Sequence, residues 1–218
     1  MLVQPGPFSD LPTTKEARCT PMIRGFGLFC KINFNHYSAL DLFSCSMNMI
    51  KIHDHPCPTC GARHPGWKRH AAYDRYLIGF DEGAVCSHSV VVTRFMCQSC
   101  RSTHALLPEF VIPFKSHSLL FVLAVLKDYF LSHLTVGQLC AKYEITPATL
   151  YSWKAAFLKD KRLWLGALQD SLTSAAKFLA FLSKEGLEHH LDEFFAITNR
   201  SLLQTRITIR GNGMFAPD

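Results

Sequence analysis

Two Cys-x-x-Cys pairs are the part of this sequence best suited to chemistry. Cys57 and Cys60 form the first pair, and Cys97 and Cys100 form the second. Each pair places two thiolates on one tight turn, where both sulfurs can reach a single ion at about 2.3 Å, and two such turns complete a tetrahedron. Gly61 can take the positive φ angle that suits the first turn. The spacing predicts a Zn²⁺ site, and its role is expected to be structural because four protein ligands leave no position for water.

A long insertion separates the two pairs. Its 36 residues, 61–96, exceed the roughly 15–20 of the compact zinc pattern, so an extended hairpin is expected between the turns. Cys86 and His88 lie inside this insertion, and a site that uses a histidine or Cys86 is an alternative. The histidines near enough in sequence to serve as substitute ligands are His53, His55, His64, His70 and His104.

A catalytic zinc is not predicted. Such a site would need three protein ligands and a nearby carboxylate base. The segment before Cys57 also lacks the His-x-Glu pattern that zinc deaminases place upstream of their cysteine pair. No catalytic residue is therefore assigned, and the chain is expected not to be an enzyme.

Length and composition place limits on the class of protein. The chain has 218 residues, of which 48% are apolar, enough to bury the core of one or two modest domains. We recognise neither a secretory signal nor an apolar run long enough to span a bilayer, so a cytoplasmic protein without a membrane partner is expected. In that reducing compartment, nine cysteines favour metal ligation over disulfides. The net charge of +6 permits a nucleic-acid partner without requiring one.

The N-terminal half divides into two segments. Residues 1–49 contain scattered prolines and cysteines without a sustained period, which predicts a poorly ordered extension; translation from Met47 or Met49 is an alternative. Residues 50–112 are predicted to form the zinc ribbon. Its strands are expected at 73–80 and 89–96, where β-branched and aromatic residues are frequent, with a turn at 81–83.

Residues 113–165 are predicted to form a helix-turn-helix domain. Ser116 or Ser118 can cap a strongly apolar helix that ends near residue 132. Thr135 opens a capping box for a second helix, and Thr146, followed by a proline, opens the third. The residues expected to pack these helices together are Val136, Leu139, Cys140, Ile145, Leu150, Trp153 and Phe157.

Residues 166–218 are predicted to form C-terminal helices and a tail. One helix is expected to end near Gly186, a second to run from 187 to about 197, and 208–218 to be the tail. The apolar residues at helical spacing in the first are Leu168, Leu172, Ala175, Ala176, Leu179 and Leu182. The fold class is therefore α+β: a small β-rich zinc ribbon, then a helical helix-turn-helix domain, then C-terminal helices.

The third helix is predicted to be the DNA-reading element. Segment 113–165 holds seven basic and three acidic residues, the largest basic excess in the chain. Tyr151 and Trp153 are expected to pack. The residues expected near base edges are Thr146, Ala148, Thr149 and Ser152, and those expected near phosphates are Lys154, Lys159, Lys161 and Arg162. The alternative is a plain three-helix domain whose hydroxyls are caps and whose lysines form a solvated face.

These motifs together resemble a family of small bacterial proteins associated with insertion sequences. In that family a zinc ribbon with a CPxCG turn precedes a transposase-type helix-turn-helix. The segments that carry the resemblance are 57–61, 63–70, 97–101 and 149–154. The resemblance covers roughly 50–165 and implies recognition of DNA at transposon ends or a regulatory site.

Two functional hypotheses follow from the sequence. The first is a DNA-binding regulator or transposition accessory protein that lacks its own catalytic domain, because 166–218 is too short for the acidic sheet domain that holds two metal ions in transposases. The second is a protein-interaction adaptor whose zinc ribbon docks a partner such as a transposase. In this adaptor the acidic C-terminal helices are expected to pair with the partner or with a second copy of the chain, which would form a homodimer.

Overall fold

The computed structural model describes residues 23–25, 38–183, 187–198 and 200–204. The strands are β1 (Ile23–Gly25), β2 (Lys68–Asp81), β3 (Ala84–Met96) and β4 (Thr103–Pro108). The helices are α1 (Ala39–Met49), α2 (Leu119–Leu131), α3 (Val136–Tyr143), α4 (Pro147–Leu172), α5 (Ala175–Leu182) and α6 (Leu187–Thr198). The predicted α+β class is confirmed. Among the described helices, none combines the length and the apolar character needed to cross a membrane.

A long β-hairpin fills the insertion between the two cysteine pairs. β2 and β3 pair in antiparallel register from Lys68 opposite Met96 to Asp81 opposite Ala84, with one irregularity after Arg69. Residues 82 and 83 both have positive φ angles, 48° and 84°, which matches the right-handed strand twist at a two-residue turn. The expected hairpin is therefore present, with longer strands than predicted.

The hairpin belongs to a four-stranded sheet of order β1-β4-β3-β2. β4 pairs with β3 in antiparallel register, and β1 pairs with β4 in parallel register. The inner face of the hairpin, represented by Leu77, Val90 and Val92, is fully buried against helices. One apolar core thus runs from the sheet into α2–α6. This core continues across residue 112, where the predicted ribbon segment ends and the predicted helix-turn-helix segment begins.

Helix α2 is the centre of this core. Its apolar residues face nearly all directions, as a helix surrounded by protein requires, and Phe121, Val125 and Leu126 are fully buried. Of the two serines considered as its cap, Ser118 has that role: its Oγ accepts from the backbone N–H of Phe121 at 3.2 Å.

Helix α1 corrects the prediction of a poorly ordered extension over 1–49, which is wrong for its last part. The Ser38 hydroxyl caps the helix by accepting from the backbone N–H of Leu40 at 3.2 Å. The residues that face the core are Ala39, Leu42, Phe43 and Met47. Their spacing is that of an amphipathic helix, a signal present in the sequence but confined to a short window. The rest of the extension, apart from β1, lies outside the described residues.

Helices α3 and α4 have the predicted helix-turn-helix layout. Thr135 and Gln138 form both hydrogen bonds of the capping box, and the Thr146 hydroxyl caps α4. Between the helices, Glu144 takes a left-handed conformation at φ 53°. Asp128 on α2 accepts from Lys142 Nζ at 2.7 Å and from Tyr143 Oη at 2.8 Å, which ties α3 to α2.

The C-terminal helices differ from the prediction in where the first one lies. α4 continues to Leu172 with a break at Gly166 (φ 72°), and α5 begins only after Ser174, which caps it. The apolar residues predicted at helical spacing in one helix are therefore divided between α4 and α5, and Leu168 and Leu172 of α4 are 80% and 76% exposed. The predicted end at Gly186 and the tail at 208–218 lie outside the described residues.

We expect opposite stability effects from the same substitution at two glycines. A Cβ at Gly79 would lie 2.5 Å from the Cβ of Ala39, so Gly79→Ala should lower the free energy of unfolding by about 1–3 kcal/mol. A Cβ at Gly137, inside α3, meets nothing within 4 Å, so Gly137→Ala should raise it by roughly 0.5–1 kcal/mol. Urea unfolding measures both. A wild-type midpoint for Gly79→Ala would show that α1 does not pack on the hairpin as described.

Candidate metal centre

The first cysteine pair lies on a turn whose backbone closes on itself. The N–H of Gly61 donates to the carbonyl of Cys57 at 2.8 Å, and the N–H of Cys57 donates to the carbonyl of Ala62 at 2.9 Å. Gly61 has a φ of 70°, the positive value expected for it. This arrangement brings Cys57 and Cys60 to the same side of the turn.

The second cysteine pair repeats the same turn. The N–H of Arg101 donates to the carbonyl of Cys97 at 2.9 Å, and the N–H of Cys97 donates to the carbonyl of Ser102 at 2.9 Å. Arg101 has a φ of 63°, although it is not a glycine. Two equivalent turns therefore face each other, and the hydrogen bond from Gln98 N–H to the Pro65 carbonyl, 2.8 Å long, connects the segments that carry them.

The four sulfurs have the separation that a tetrahedral ion requires. Cys57 Sγ lies 3.7 Å from Cys100 Sγ, and Cys60 Sγ lies 3.8 Å from Cys97 Sγ. An ion bound at about 2.3 Å to four sulfurs would place them about 3.8 Å apart, whereas a disulfide would place two of them about 2.05 Å apart. All four ligand atoms lie within 4.8 Å of one another. The predicted cysteines come together and could hold a metal ion.

A small second core supports this site. Cys57 and Cys97 are buried with Ile52, Trp67 and Leu106. The Trp67 indole N–H donates to the His55 carbonyl at 2.9 Å and so fixes the segment that leads into the first turn. One side of the site is thus packed into this small core, while Cys60 is exposed.

The protonation of the site without metal is uneven. Burial raises the pKa of the Cys57 thiol to about 12, in opposition to hydrogen bonds from the backbone of Cys60 and Thr59. Hydrogen bonds from the side chain and backbone of Ser102 lower the pKa of the Cys100 thiol to about 6. At neutral pH, metal binding must therefore displace the Cys57 proton. Because protons compete with a metal for thiolates, the affinity of the four-cysteine site for the metal falls as the pH falls.

His104 contacts the buried side of the metal site, next to Cys57. It is fully buried, its Nε2 lies 3.5 Å from Cys57 Sγ, and its ring meets Trp67 edge to face at 5.4 Å. The sequence suggested His104 as a substitute ligand, but the cluster of ligand atoms consists of the four cysteines. The position of His104 instead suits a hydrogen bond that orients the Cys57 side chain. The sequence alone does not show this position, because it depends on the pairing of β4 with β3.

Replacement of His104 by phenylalanine is expected to weaken metal binding by about 10–100-fold, the usual effect of removing a partner of a metal ligand. Phenylalanine keeps the ring contact with Trp67 and removes the N–H group. Competition with a coloured chelator measures the affinity. His64→Phe is the control because His64 is exposed and follows Cys60 by four residues in the sequence. Equal affinities for the two variants would rule out the orienting role of His104.

The other histidines suggested as ligands lie outside the four-cysteine cluster. His53, His64 and His70 are exposed, and His55 is half-buried. Cys86 and His88 also lie elsewhere, near the turn of the hairpin. Both belong to a separate cluster.

The predicted DNA-contacting residues lie on α4 and at its N-cap, Thr146, and they differ in exposure. Thr146, Ala148, Ser152 and Lys159 are exposed, as is Arg162. Thr149 is half-buried, and its hydroxyl lies 2.9 Å from that of Thr146 within the cap.

Three residues of α4 are placed differently from the prediction. Lys154 Nζ donates to the Tyr129 hydroxyl at 2.7 Å and lies 4.7 Å from that ring, so it faces α2. Lys161 is buried, with its Nζ 2.9 Å from an Asp170 carboxylate oxygen, and it is not available to phosphates. Tyr151 is 48% exposed and so is not a packing residue, whereas Trp153 is buried as expected.

Comparison with known protein families gives a match to the middle of the chain. A family model described as a domain of unknown function (DUF6431) matches residues 57–153. The matched range begins at the first cysteine of the metal centre and ends at Trp153 in the first half of α4. No curated protein and no solved structure matches the chain.

Proposed function

We propose that this chain is a zinc-containing DNA-binding protein, in which α4 reads the duplex and the four-cysteine site stabilises the scaffold. The observation that carries the proposal is the unpacked face of α4. Its exposed residues recur at helical spacing along one side and are Ala148, Tyr151, Ser152, Ala155, Lys159 and Arg162. We call this set the outer face of α4.

The chemistry of the outer face changes along the helix in the way that DNA recognition needs. Small residues stand near its N-terminus, where recognition helices approach base edges. Lys159 and Arg162 stand two to four turns later, where cations can meet phosphates. The opposite side of the helix, with Leu150, Trp153 and Phe157, is buried in the core. The helix is thus anchored on one side and free on the other.

Zinc is the metal that best fits the four-cysteine site. Soft thiolate ligands in a tetrahedron favour Zn²⁺ or an iron–sulfur centre, and sulfur separations of 3.7 and 3.8 Å suit a single ion. Four protein ligands complete the coordination, so the proposed role is structural. Met47 packs against both the small core at the metal site and the main core, and so connects the site to the helices.

Within this function we favour a transposition-associated regulator or accessory protein that acts on DNA together with a transposase. The support is the resemblance of the turns and the helix-turn-helix to insertion-sequence proteins. A protein-interaction adaptor is the second candidate. The exposed apolar side chains of Leu168 and Leu172 favour it, because they offer a surface for a partner or a second copy.

Charge reversal on the outer face tests the proposal. Ser152→Glu combined with Lys159→Glu should weaken binding to a short random-sequence duplex by roughly tenfold or more, since it adds charges that phosphates repel. Fluorescence anisotropy of the labelled duplex measures this. Lys127→Glu, on the exposed side of α2, is the control for a charge reversal away from the outer face and should bind like the wild type. If the wild type binds no duplex at low salt, the adaptor is the better account.

A further inference from the structure

A second cluster of ligand-type side chains lies near the turn of the hairpin. Asp81 is the last residue of β2, and Cys86 and His88 follow on β3. In the register of the hairpin, Asp81 is opposite Ala84, Gly79 is opposite Cys86, and Leu77 is opposite His88. Alternate residues share a face, so the three side chains project from the same side of the hairpin. One ligand atom from each lies within 4.8 Å of the others.

One ring nitrogen of His88, Nε2, lacks a hydrogen-bond partner in this cluster. This atom is buried and finds none within the part of the chain that the structure describes. The nearest charged atom, Asp81 Oδ2, lies 3.9 Å away, beyond hydrogen-bond distance. A buried polar atom without a partner destabilises the folded protein. A bound cation between the two side chains would supply the missing partner.

The geometry is close to that of a coordinated ion. Ligand bonds of about 2.0–2.3 Å at tetrahedral angles place oxygen, nitrogen and sulfur ligands about 3.3–3.6 Å apart. The separation of 3.9 Å between His88 Nε2 and Asp81 Oδ2 exceeds this by a few tenths of an ångström. Small side-chain rotations can close such a gap without any change in the strands.

We propose that Asp81, Cys86 and His88 form a second metal site, for a divalent transition ion such as Zn²⁺ or Co²⁺. The mixed set of oxygen, sulfur and nitrogen ligands suits these ions and not Mg²⁺ or Ca²⁺, which take oxygen ligands. Three protein ligands leave one coordination position open to water or to a donor from another molecule. Cys86 precedes Cys97 by 11 residues, roughly 36 Å along an extended strand, so the site is independent of the four-cysteine site.

Cobalt titration of the metal-free protein, followed by its visible absorption, tests the proposal. The wild type should take up two Co²⁺ ions, the second more weakly. Cys86→Ser and His88→Gln should each take up one and keep the spectrum of a four-thiolate site. Ser89→Ala is the matched control, because Ser89 is the exposed neighbour of His88 on the other face, and it should take up two. Uptake of one ion by the wild type, or of two by both ligand variants, would overturn the proposal.

Alkylation of the unsubstituted protein gives a second measurement that does not depend on the folding of a variant. With the four-cysteine site already filled, further Zn²⁺ should slow the alkylation of Cys86 by iodoacetamide by about tenfold or more, since a metal-bound thiolate is a poorer nucleophile. Cys45, which is exposed on α1, is the internal control and should react at an unchanged rate. Mass spectrometry of the peptides reports both rates. An unchanged rate at Cys86 would overturn the proposal.

Discussion

Cys97→Ser is expected to weaken metal binding at the four-cysteine site by about 100–1000-fold. Structural zinc sites bind with roughly 10–16 kcal/mol, so one of four ligands accounts for about 3–4 kcal/mol. Cys97 is fully buried and its backbone closes the second turn, so no neighbouring group can easily take its place. Because the metal connects the two turns, its loss should also lower the thermal stability of the protein.

Metal content after dialysis against a chelator, together with thermal unfolding, measures both effects. Cys45→Ser is the matched control, since Cys45 is exposed on α1 and away from the ligand cluster. It should keep the metal content and the melting temperature of the wild type. Retention of the wild-type metal content by Cys97→Ser would mean that the four cysteines do not form the site.

Asp160→Ala is expected to lower the free energy of unfolding by about 3–5 kcal/mol, because it leaves the largely buried guanidinium of Arg200 without its carboxylate partner. Asp160 is 1% exposed; its carboxylate accepts from Arg200 and, at 2.7 Å, from the backbone N–H of Leu203. Arg200 also donates to the Gln204 carbonyl at 2.7 Å. The pair therefore anchors the segment after α6 to the middle of α4.

A double variant separates the anchoring role of this pair from its net contribution to stability. Burial raises the pKa of the Asp160 carboxyl in spite of the opposing effect of Arg200, so ionising it is less favourable inside the protein than in water. Replacing both residues by leucine should therefore recover most of the stability lost in Asp160→Ala. Chemical denaturation of the three proteins gives the comparison. A double variant no more stable than Asp160→Ala would contradict this account of the pair.

The elements that sequence analysis predicted well are those with local signals. The capping box at Thr135, the proline after Thr146 and the two cysteine turns each lie within a few residues, and each forms as expected. The long spacer likewise required a hairpin, and the hairpin is present. Such features depend on short-range hydrogen bonds and steric preferences, which the chain carries wherever it folds.

The features that were missed depend on contacts between distant segments. The parallel pairing of β1 with β4 and the packing of Ala39 on Gly79 involve residues far apart in the chain. The burial of Lys161 depends on a carboxylate from the part of α4 beyond the break. Asp81 was predicted only as a turn residue, since its proximity to His88 follows from the strand register, which the sequence alone does not specify.

The salt dependence of DNA binding tests the central claim most directly. The metal-loaded wild-type protein should bind a random-sequence duplex, and the logarithm of its affinity should fall linearly with the logarithm of salt concentration between about 50 and 200 mM. Each phosphate contact contributes a slope of about −0.9, so contacts by Lys159, Arg162 and one or two further cations predict roughly −3. Absence of binding at low salt, or an affinity that does not change with salt, would contradict the proposal that this protein binds DNA.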